Sequence, residues 1–200
     1  MIRAVIFDLG KVLLDFDYAI ATNKIAAQTR ITAAEFQKLL LEGPLLLRYE
    51  LGQLTTEEFY REVCSVTGFC GALDEFGLTF ADIFTLIEPM VQLHAALRER
   101  GFPTYIFSNT NELAVRYIRH KFAFFSTFTA HILSYEHGVM KPDSRLYEVV
   151  ETQCGRRGAE LLYMDDRPEN IAVGVARGWN TILQETPEKT LRAVEKLGLI

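Results

Sequence analysis

The amino-acid sequence predicts an α/β fold in which a parallel sheet is flanked by helices and carries an inserted helical segment. Residues 4–7 begin the chain with an apolar run rich in β-branched residues, as in a strand buried on both faces of a parallel sheet. From Asp17 to about Ala81, apolar residues recur at helical spacing without a strand-like run. From Glu88 onward, candidate helices and strands alternate, which indicates βαβ crossovers and a single sheet.

The first predicted strand brings a carboxylate to its C-terminal end. The apolar run ends at Asp8, and Gly10 follows, where a tight turn of the backbone is easily made. Open α/β sheets bind ligands at the carboxyl ends of their strands. Asp8 is therefore a candidate functional residue, although a single aspartate at a strand end could equally cap the next element.

The inserted segment contains two helix starts of the capping-box type. Thr32 with Glu35, and Thr55 with Glu58, have the spacing at which a hydroxyl and a carboxylate satisfy free N–H groups reciprocally. Glycines divide the segment into four or five short helices. We interpret its apolar stripe as packing, with a predicted core of Phe36, Leu39, Leu40, Phe59, Val63 and Val66. We therefore predict a core domain built from residues 1–15 and 85–200, and a small helical domain at residues 16–84.

The rest of the chain supplies the remaining strands and helices of the predicted sheet. Four further strands are predicted at residues 103–107, 130–133, 161–164 and 180–183. Helices are predicted at residues 89–100, 111–120, 144–153, 169–176 and 187–197.

Polar side chains follow three of these strands. Ser108 and Asn109 precede a helix N-terminus, where hydroxyl, amide and backbone N–H groups suit a phosphate oxygen or an ordinary helix cap. Lys141 stands just before a proline, which restricts it to an extended conformation. Asp165 and Asp166 are adjacent acids at a buried strand end, which is costly without a neighbouring cation.

The carboxyl ends of neighbouring parallel strands meet in one crevice, so these groups should converge. Together they offer a carboxylate nucleophile, hydrogen-bond donors, an ammonium group and an acid pair able to hold Mg²⁺. Carboxylate nucleophiles form aspartyl-phosphate intermediates. Phosphoryl transfer chiefly requires positioning and charge neutralisation, and this set of residues would supply both.

Composition excludes several classes of partner. The chain has 200 residues, 49% of them hydrophobic, and a net charge of −5, which gives no basic surface for nucleic acid or for an anionic membrane. No apolar run approaches the ~20 residues of a membrane span, and the start of the chain lacks the pattern of a secretory signal. The three cysteines lack metal-site spacing. We expect a cytoplasmic protein with reduced thiols.

The motifs Phe-Asp-Leu-Gly-x-Val at residues 7–12 and Ser-Asn-Thr-Asn at residues 108–111, with the lysine and the acid pair, carry a family resemblance. Over essentially its full length the chain resembles haloacid dehalogenase-like hydrolases of the branch with a helical cap after the first strand. It is especially similar to bacterial sugar-phosphate phosphatases of the glucose 1-phosphate type. The resemblance implies a Rossmann-like, three-layer α/β/α core with a small helical cap domain.

The resemblance also implies roles for individual residues. Asp8 stands at the position of the nucleophile, Ser108 at that of the phosphate-binding hydroxyl, and Lys141 at that of the charge-stabilising lysine. We expect Ser108, Asn109 and Lys141 to bind substrate. The implied metal ligands are Asp8, the backbone carbonyl of Gly10, Asp166 and Asp165, with Asp166 preferred over Asp165 as a direct ligand.

These roles imply a Mg²⁺-dependent phosphatase. Its substrate would be a small phosphorylated metabolite, and a sugar phosphate is the first choice. We expect no nucleic-acid or membrane partner, and a monomer or weak dimer. Arg48, Tyr49 and Glu50 are candidate contacts from the helical cap, which would act as a lid.

The sequence departs from the family at Gly10. Phosphatases of this type carry a second aspartate there, which protonates the leaving group and later activates water. General acid–base catalysis accelerates a reaction by ~10²–10⁴-fold. Without this aspartate, either another residue takes over its role or the rate is lower. Asp15 and Asp17 are candidate replacements, unless they are capping or solvated acids, and His137 is a weaker one.

Gly10 keeps two other functions open. A 2-haloacid dehalogenase uses the same carboxylate to displace halide without a metal, but the pair Asp165 and Asp166 does not suit a metal-free site. A catalytically weak protein that binds a phosphorylated metabolite in a regulatory role is the second alternative.

Overall fold

The computed structural model describes residues 1–200, which form seven strands and eleven α-helices. The strands are β1 (Ala4–Phe7), β2 (Leu14–Phe16), β3 (Phe84–Leu86), β4 (Thr104–Ser108), β5 (Ala130–Leu133), β6 (Leu161–Asp165) and β7 (Asn180–Leu183). The first six helices are α1 (Tyr18–Ala26), α2 (Ala33–Leu41), α3 (Pro44–Glu50), α4 (Thr56–Thr67), α5 (Leu73–Ala81) and α6 (Glu88–Glu99). The others are α7 (Glu112–Lys121), α8 (Ser134–His137), α9 (Ser144–Cys154), α10 (Pro168–Ala176) and α11 (Pro187–Lys196).

Five of the strands form one parallel sheet in the order β5-β4-β1-β6-β7. The central strand β1 pairs with β4 and β6, where Val5 lies opposite Thr104 and Leu162. All pairs in this sheet are parallel. The predicted α/β fold class is therefore confirmed, and β1 is buried at the middle of the sheet as its apolar composition predicts.

Helices cover both faces of this sheet. Alternate residues of β1 belong to different hydrophobic clusters, with Val5 and Phe7 in one and Ala4 and Ile6 in the other. Residues of α6, α7 and α11 complete the first cluster, and residues of α9 complete the second. Since side chains alternate between the two sides of a strand, the core has three layers.

A short antiparallel ribbon, absent from the sequence prediction, frames the insertion. β2 and β3 pair so that Leu14 lies opposite Leu86 and Phe16 opposite Phe84. Each strand has only three residues, too few for a periodic pattern to be recognised. The chain enters the insertion along β2 and leaves it along β3.

Helices α1–α5, called the inserted helices below, have a hydrophobic cluster of their own. Both capping boxes form as predicted, at Thr32 and Thr55. The aromatic residues pack together, and the ring of Tyr49 stacks on Phe59 with centroids 4.3 Å apart. The predicted core is wrong at one position, because Val66 is 53% exposed. The division into a core domain and a domain at residues 16–84 stays a prediction.

Hydrogen bonds fasten the inserted helices to the rest of the molecule. The Tyr49 hydroxyl accepts from the backbone N–H of Leu113 at 3.1 Å, and the Thr56 hydroxyl donates to Glu112 at 2.6 Å. The Ser134 hydroxyl at the start of α8 donates to the backbone carbonyl of Glu50 at 2.7 Å. These bonds hold the end of α3 close to the carboxyl ends of the sheet strands.

The predicted elements of the sheet lie close to the observed ones. The strands predicted at residues 130–133 and 180–183 have the observed bounds. The strand predicted at 103–107 is shifted by one residue, and the one predicted at 161–164 is one residue longer. The four-residue helix α8 was not predicted. No helix combines the length and the apolar character that a membrane crossing requires.

Candidate active site

Asp8 lies directly after the central strand β1, at the carboxyl edge of the sheet. Its backbone N–H continues the pairing with β6 by donating to Met164 at 2.9 Å. The side chain accepts a bond from the Leu9 backbone N–H at 2.7 Å. Its Oδ1 atom lies 3.0 Å from Nζ of Lys141. The predicted nucleophile is thus a nearly buried carboxylate held against an ammonium group.

Lys141 is buried, and its ammonium group has three neighbours. Besides Asp8, Nζ lies 2.6 Å from Oδ2 of Asp165 and 2.9 Å from the backbone carbonyl of Phe107. Burial lowers the pKa of the Lys141 ammonium, but the carboxylates of Asp8 and Asp165 outweigh burial and raise it above its ordinary value. Lys141 therefore holds its proton more strongly than an isolated lysine does.

Asn109 fixes the loop that carries Lys141. Its side-chain amide donates to the Lys141 carbonyl at 2.9 Å and accepts from the Lys141 backbone N–H at 2.8 Å. Asn109 also lines the cavity described below. The sequence predicts Asn109 as a substrate-binding residue, and this role stays a prediction. The two hydrogen bonds between its side chain and the Lys141 backbone could not be predicted, because they depend on contact between the loop after β4 and the loop that carries Lys141.

Asp165 and Asp166 occupy different environments. Asp165 is fully buried, and its two oxygens accept bonds from Lys141, the Tyr163 hydroxyl, the Arg167 backbone N–H and the Asn170 amide. Asp166 is only partly buried and lines the cavity, which Asp165 does not. This difference agrees with the preference for Asp166 as the direct metal ligand. Tyr163 and Asn170, which orient Asp165, were missed by sequence reasoning.

The carboxylates of Asp8, Asp165 and Asp166 have oxygens within 4.8 Å of one another. Burial raises the pKa of Asp8 to about 8 even though Lys141 opposes the rise, and Asp165 adds to it. Burial and the charge of Asp165 also raise the pKa of Asp166. The three acids share a single ammonium group, so ionising all of them is costly unless a further cation, such as a divalent metal ion, is bound.

A cavity of about 400 Å³ opens in front of these residues. Its floor includes Asp8, Gly10 and Ser108, and the buried Ser108 hydroxyl is one of its polar groups. Its other side is formed by residues from the insertion and its flanking ribbon, namely Phe16, Tyr18, Glu50 and Phe84. The cavity therefore lies between the sheet edge and the inserted helices.

The space beside Gly10 is occupied by an aromatic ring. A Cβ atom added to Gly10 would lie 2.8 Å from Cε1 of Phe16, closer than real Cβ contacts allow. The ring also packs against Tyr18 with centroids 5.7 Å apart. A second aspartate two residues after the nucleophile would thus require Phe16 to move.

The predicted replacements for the missing acid lie outside the cavity. Asp15 pairs with Lys11 at the exposed side of the turn. Asp17 caps α1 by accepting a bond from the backbone N–H of Ala19 at 2.8 Å. His137 is exposed at the end of α8. None of the three is placed to serve the site.

Of the three cap residues proposed as lid contacts, only Glu50 lines the cavity. Arg48 forms an ion pair with Glu62 at 2.8 Å, and Tyr49 is buried in the aromatic cluster. Burial raises the pKa of Glu50 to about 7. The sequence could not distinguish Glu50 from its neighbours, because the docking of α3 decides which side chain enters the cavity.

A family model for haloacid dehalogenase-like hydrolases matches residues 2–178 of the chain. The chain belongs to this family. The resemblance inferred from the sequence motifs is therefore confirmed, as is the prediction that the chain is a hydrolase.

Curated relatives of this haloacid dehalogenase-like hydrolase include phosphatases. A sesquiterpene phosphatase of Aspergillus oryzae is 24% identical over 88% of this chain and 86% of its own length. The D-ribitol-5-phosphate phosphatase of Bacteroides thetaiotaomicron is 21% identical over 92% of this chain and 93% of its own length. Acyl-CoA dehydrogenase family member 10 of Mus musculus is 24% identical over 98% of this chain, which spans only 19% of the mouse protein.

Solved structures share the fold of this haloacid dehalogenase-like hydrolase. A HAD-like family hydrolase from Porphyromonas gingivalis superposes with a TM-score of 0.84 at 23% identity, over 98% of each chain. A HAD family enzyme from Bacteroides thetaiotaomicron, in complex with magnesium and inorganic phosphate, gives a TM-score of 0.76 at 24% identity. That match covers 91% of this chain and 93% of the other.

Proposed function

We propose that this chain is a Mg²⁺-dependent phosphatase that hydrolyses a small phosphorylated metabolite through a phospho-aspartate at Asp8. The observation that carries the proposal is the nearly buried carboxylate of Asp8, 3.0 Å from the Lys141 ammonium at the floor of the cavity. The phosphatases among the relatives support a phosphate ester as substrate. The cavity volume suits a small metabolite, and we propose a sugar phosphate.

The donor set at the floor of the cavity fits magnesium. Its carboxylate oxygens lie within 4.8 Å of one another, and when all three acids are ionised they carry more negative charge than Lys141 balances. We propose that Asp8, Asp166 and the backbone carbonyl of Gly10 hold the ion, and that Asp165, with both oxygens already bonded, orients Lys141 beside it. Bound magnesium would neutralise charge between the carboxylates and the phosphate group.

The protein groups then divide the phosphoryl transfer between them. An oxygen of Asp8 forms a bond to phosphorus as the bond from phosphorus to the leaving oxygen breaks. The Lys141 ammonium balances charge on the transferred group, and the Ser108 hydroxyl donates to one of its oxygens. Water then attacks the phosphorus of the acyl phosphate, which releases inorganic phosphate and restores the Asp8 carboxylate.

The inserted helices, as the proposed cap domain at residues 16–84, would exclude bulk water and contact the non-phosphate part of the substrate. Phe16, Tyr18 and Phe84 give this side of the cavity an apolar surface, on which a sugar ring could pack. Glu50 is a carboxyl group on the same side.

The test is a screen of phosphorylated metabolites for phosphate release, with and without Mg²⁺, using the wild type and Asp8→Asn. The amide has the size of the acid but is a poor nucleophile, so we expect activity in the wild type alone. Mass spectrometry of the variant would exclude deamidation back to aspartate. Substantial turnover by a verified Asp8→Asn protein would remove Asp8 from this role.

Two outcomes of the screen would favour the alternatives. Chloride release from a 2-chloro acid in the presence of chelator would identify a dehalogenase, and the L-2-haloacid dehalogenase of Xanthobacter autotrophicus shares the fold with a TM-score of 0.64 at 18% identity. Binding of a phosphorylated metabolite without turnover would identify a regulatory protein. The adjacent acids Asp165 and Asp166 disfavour the first, because neighbouring carboxylates at a buried strand end are costly in a site without a metal.

We also propose a location and an assembly state for the protein. All three cysteines are free, in agreement with a reducing compartment, and we propose a cytoplasmic location. We propose a monomer or weak dimer that acts without nucleic-acid or membrane partners.

A further inference from the structure

The cavity lacks a proton-transferring group at the position where the family carries one. Gly10 has no side chain, and Phe16 fills the adjacent space. Asp15, Asp17 and His137 do not line the cavity. A phosphate ester with an alkyl leaving group needs a proton as its oxygen departs, so efficient hydrolysis of such an ester calls for another proton donor in the cavity.

The ionisable residues of the cavity leave one unassigned carboxyl group. They are Asp8, Lys11, Tyr18, Glu50, Lys141 and Asp166, with Arg167 at the edge. Asp8 and Asp166 have roles in the proposed reaction, and Lys141 has three bonding partners. Lys11 pairs with Asp15 and donates to the Phe16 carbonyl. Burial and the nearby Glu50 raise the pKa of Tyr18 well above its ordinary value, which makes the phenol a poor acid.

Glu50 has a carboxyl group that no other residue engages. It is partly buried and lines the cavity, yet its side chain forms no hydrogen bond or ion pair within the protein. By contrast, Arg48, two residues earlier in α3, is paired with Glu62. An unengaged carboxyl group facing a polar cavity is available to a substrate.

The backbone at Glu50 is held in place from both sides. The Glu50 carbonyl accepts from Ser134 at 2.7 Å, and the preceding Tyr49 bonds Leu113 of α7. Two residues later the chain passes so close to α8 that a Cβ on Gly52 would lie 2.1 Å from the Tyr135 carbonyl. Gly52 has a φ of +65°, which glycine adopts most easily. Glu50 therefore stands on a rigid support, as acid–base catalysis requires.

Resting on the phosphatase function proposed above, we propose that Glu50 is the acid–base residue of this enzyme and replaces the carboxylate that Gly10 lacks. Glu50 donates its proton to the leaving oxygen as the bond from that oxygen to phosphorus breaks and the bond from Asp8 to phosphorus forms. In the second step a water oxygen bonds to phosphorus, a water proton passes to Glu50, and the bond from phosphorus to Asp8 breaks. Glu50 ends the cycle protonated, as it began.

The electrostatics of Glu50 suit this role. Burial alone raises its pKa to about 7, so that both protonation states are populated near neutral pH. The helices packed against α3 carry further titratable groups, namely Lys38 on α2 with Glu42 at its C-terminal cap, Glu62 on α4, and Tyr135 and Glu136 on α8. Neither these groups nor those of the cavity shift the pKa of Glu50.

The test compares wild type, Glu50→Gln and Glu50→Asp, with Glu57→Gln as a matched control, since Glu57 is exposed on α4. The measurements are kcat/KM against pH, and kcat/KM against the pKa of the leaving group for a series of aryl and alkyl phosphates. In the wild type we expect kcat/KM to fall above pH ~7, where Glu50 loses its proton. In Glu50→Gln this fall should disappear, and alkyl phosphates should lose ~10²–10⁴-fold while aryl phosphates with acidic leaving groups lose far less.

Further measurements separate catalysis from binding and folding. Glu50→Gln should accumulate the phosphoenzyme, because no base activates water, whereas Glu50→Asp should keep the pH dependence and part of the activity. A rise in KM with an unchanged pH profile and unchanged leaving-group dependence would make Glu50 a binding residue and overturn the proposal. The same conclusion follows if Glu57→Gln reproduces the effect.

The same measurements distinguish a failure of the Glu50 role from a failure of the proposed phosphatase function. If the wild type releases phosphate in a manner that depends on Mg²⁺ and Asp8, and Glu50→Gln behaves as the wild type, the role of Glu50 alone is refuted. If the wild type forms no phosphoenzyme and hydrolyses no phosphate ester, both proposals fall.

Discussion

Lys141 joins two carboxylates at the centre of the site, with Nζ 3.0 Å from Oδ1 of Asp8 and 2.6 Å from Oδ2 of Asp165. All three side chains are nearly or fully buried. A buried charge that loses its partner is far more costly than an exposed one. The stability of the fold is therefore tied to the groups proposed for the chemistry.

Replacing Lys141 should destabilise the protein as well as inactivate it. Lys141→Met leaves two buried carboxylates without their cation, and we expect the free energy of unfolding at pH 8 to fall by ~3–5 kcal/mol. At pH 5 the loss should be smaller, because the raised pKa of Asp8 allows it to be neutral there. Urea unfolding at both pH values checks this. An equal loss at the two would contradict the electrostatic explanation.

Magnesium should stabilise the protein in the absence of substrate. Three carboxylates that share one ammonium group have raised pKa values at Asp8 and Asp166, and an ion bound to the folded state relieves their repulsion. With Mg²⁺ 100-fold above its Kd, we expect Tm to rise by ~5–10 °C.

Asp166→Asn should abolish this rise in Tm, whereas Asp74→Asn, at an exposed aspartate in the first turn of α5, should keep it. Thermal unfolding with and without chelator is the measurement. No response in the wild type to Mg²⁺ would count against the metal site whatever the activity assays give.

An aspartate introduced at position 10, where the family carries one, should destabilise the protein unless Phe16 is also replaced. In Gly10→Asp the new Cβ meets Cε1 of Phe16 at 2.8 Å, and such overpacking typically costs ~1–3 kcal/mol. In the Phe16→Ala background the same substitution should cost little. Urea unfolding of the two single variants and the double variant forms a mutant cycle, and additive effects would show that the ring does not oppose the aspartate.

Glu50→Gln should change how stability depends on pH. Burial raises the pKa of Glu50 from 4.5 in its ordinary state to about 7, so between these values the folded protein binds a proton that the unfolded chain has lost. Stability therefore falls as pH rises through this interval. Glutamine does not ionise and removes this contribution.

Relative to the wild type, we expect Glu50→Gln to gain ~1–3 kcal/mol of unfolding free energy between pH 5 and pH 8. Contributions from Asp8 and Asp166 are common to both proteins and cancel in the comparison. Glu57→Gln should show no such gain. A Glu50→Gln protein with the pH dependence of the wild type would mean that the Glu50 carboxyl is solvated.

The strand-end residues could be predicted because topology alone brings them together. Ser108 and Asp165 end their strands, Asp8 directly follows β1, and Lys141 lies in the connection after β5. Parallel strands place such positions along one edge of the sheet. Fold class and most element bounds follow from hydrophobic periodicity in the same way. The ribbon of β2 and β3 could not be predicted in this way, because a strand of three residues is too short to show a hydrophobic period.

The features that the sequence did not predict, or could not assign to a single residue, all depend on how separate segments dock. In the sequence Tyr163 has no feature that separates it from other strand residues, and only the structure shows that its hydroxyl donates to Asp165. The sequence around Gly10 does not indicate that the ring of Phe16 occupies the space where a side chain at position 10 would lie. Glu50 enters the cavity, and Arg48 does not, because of the orientation in which α3 meets α8.

The Ser134 hydroxyl makes the insertion unsuitable for exchange as an independent module. It donates to the Glu50 carbonyl and accepts from the Thr110 backbone N–H at 2.9 Å, so one hydroxyl links the insertion to the loop that follows Ser108. A chimera that imported foreign helices at residues 18–81 would lose the bond between this hydroxyl and the Glu50 carbonyl unless the new helices docked in the same way. Successful grafts would have to carry α8 along with the insertion, although the two are distant in sequence.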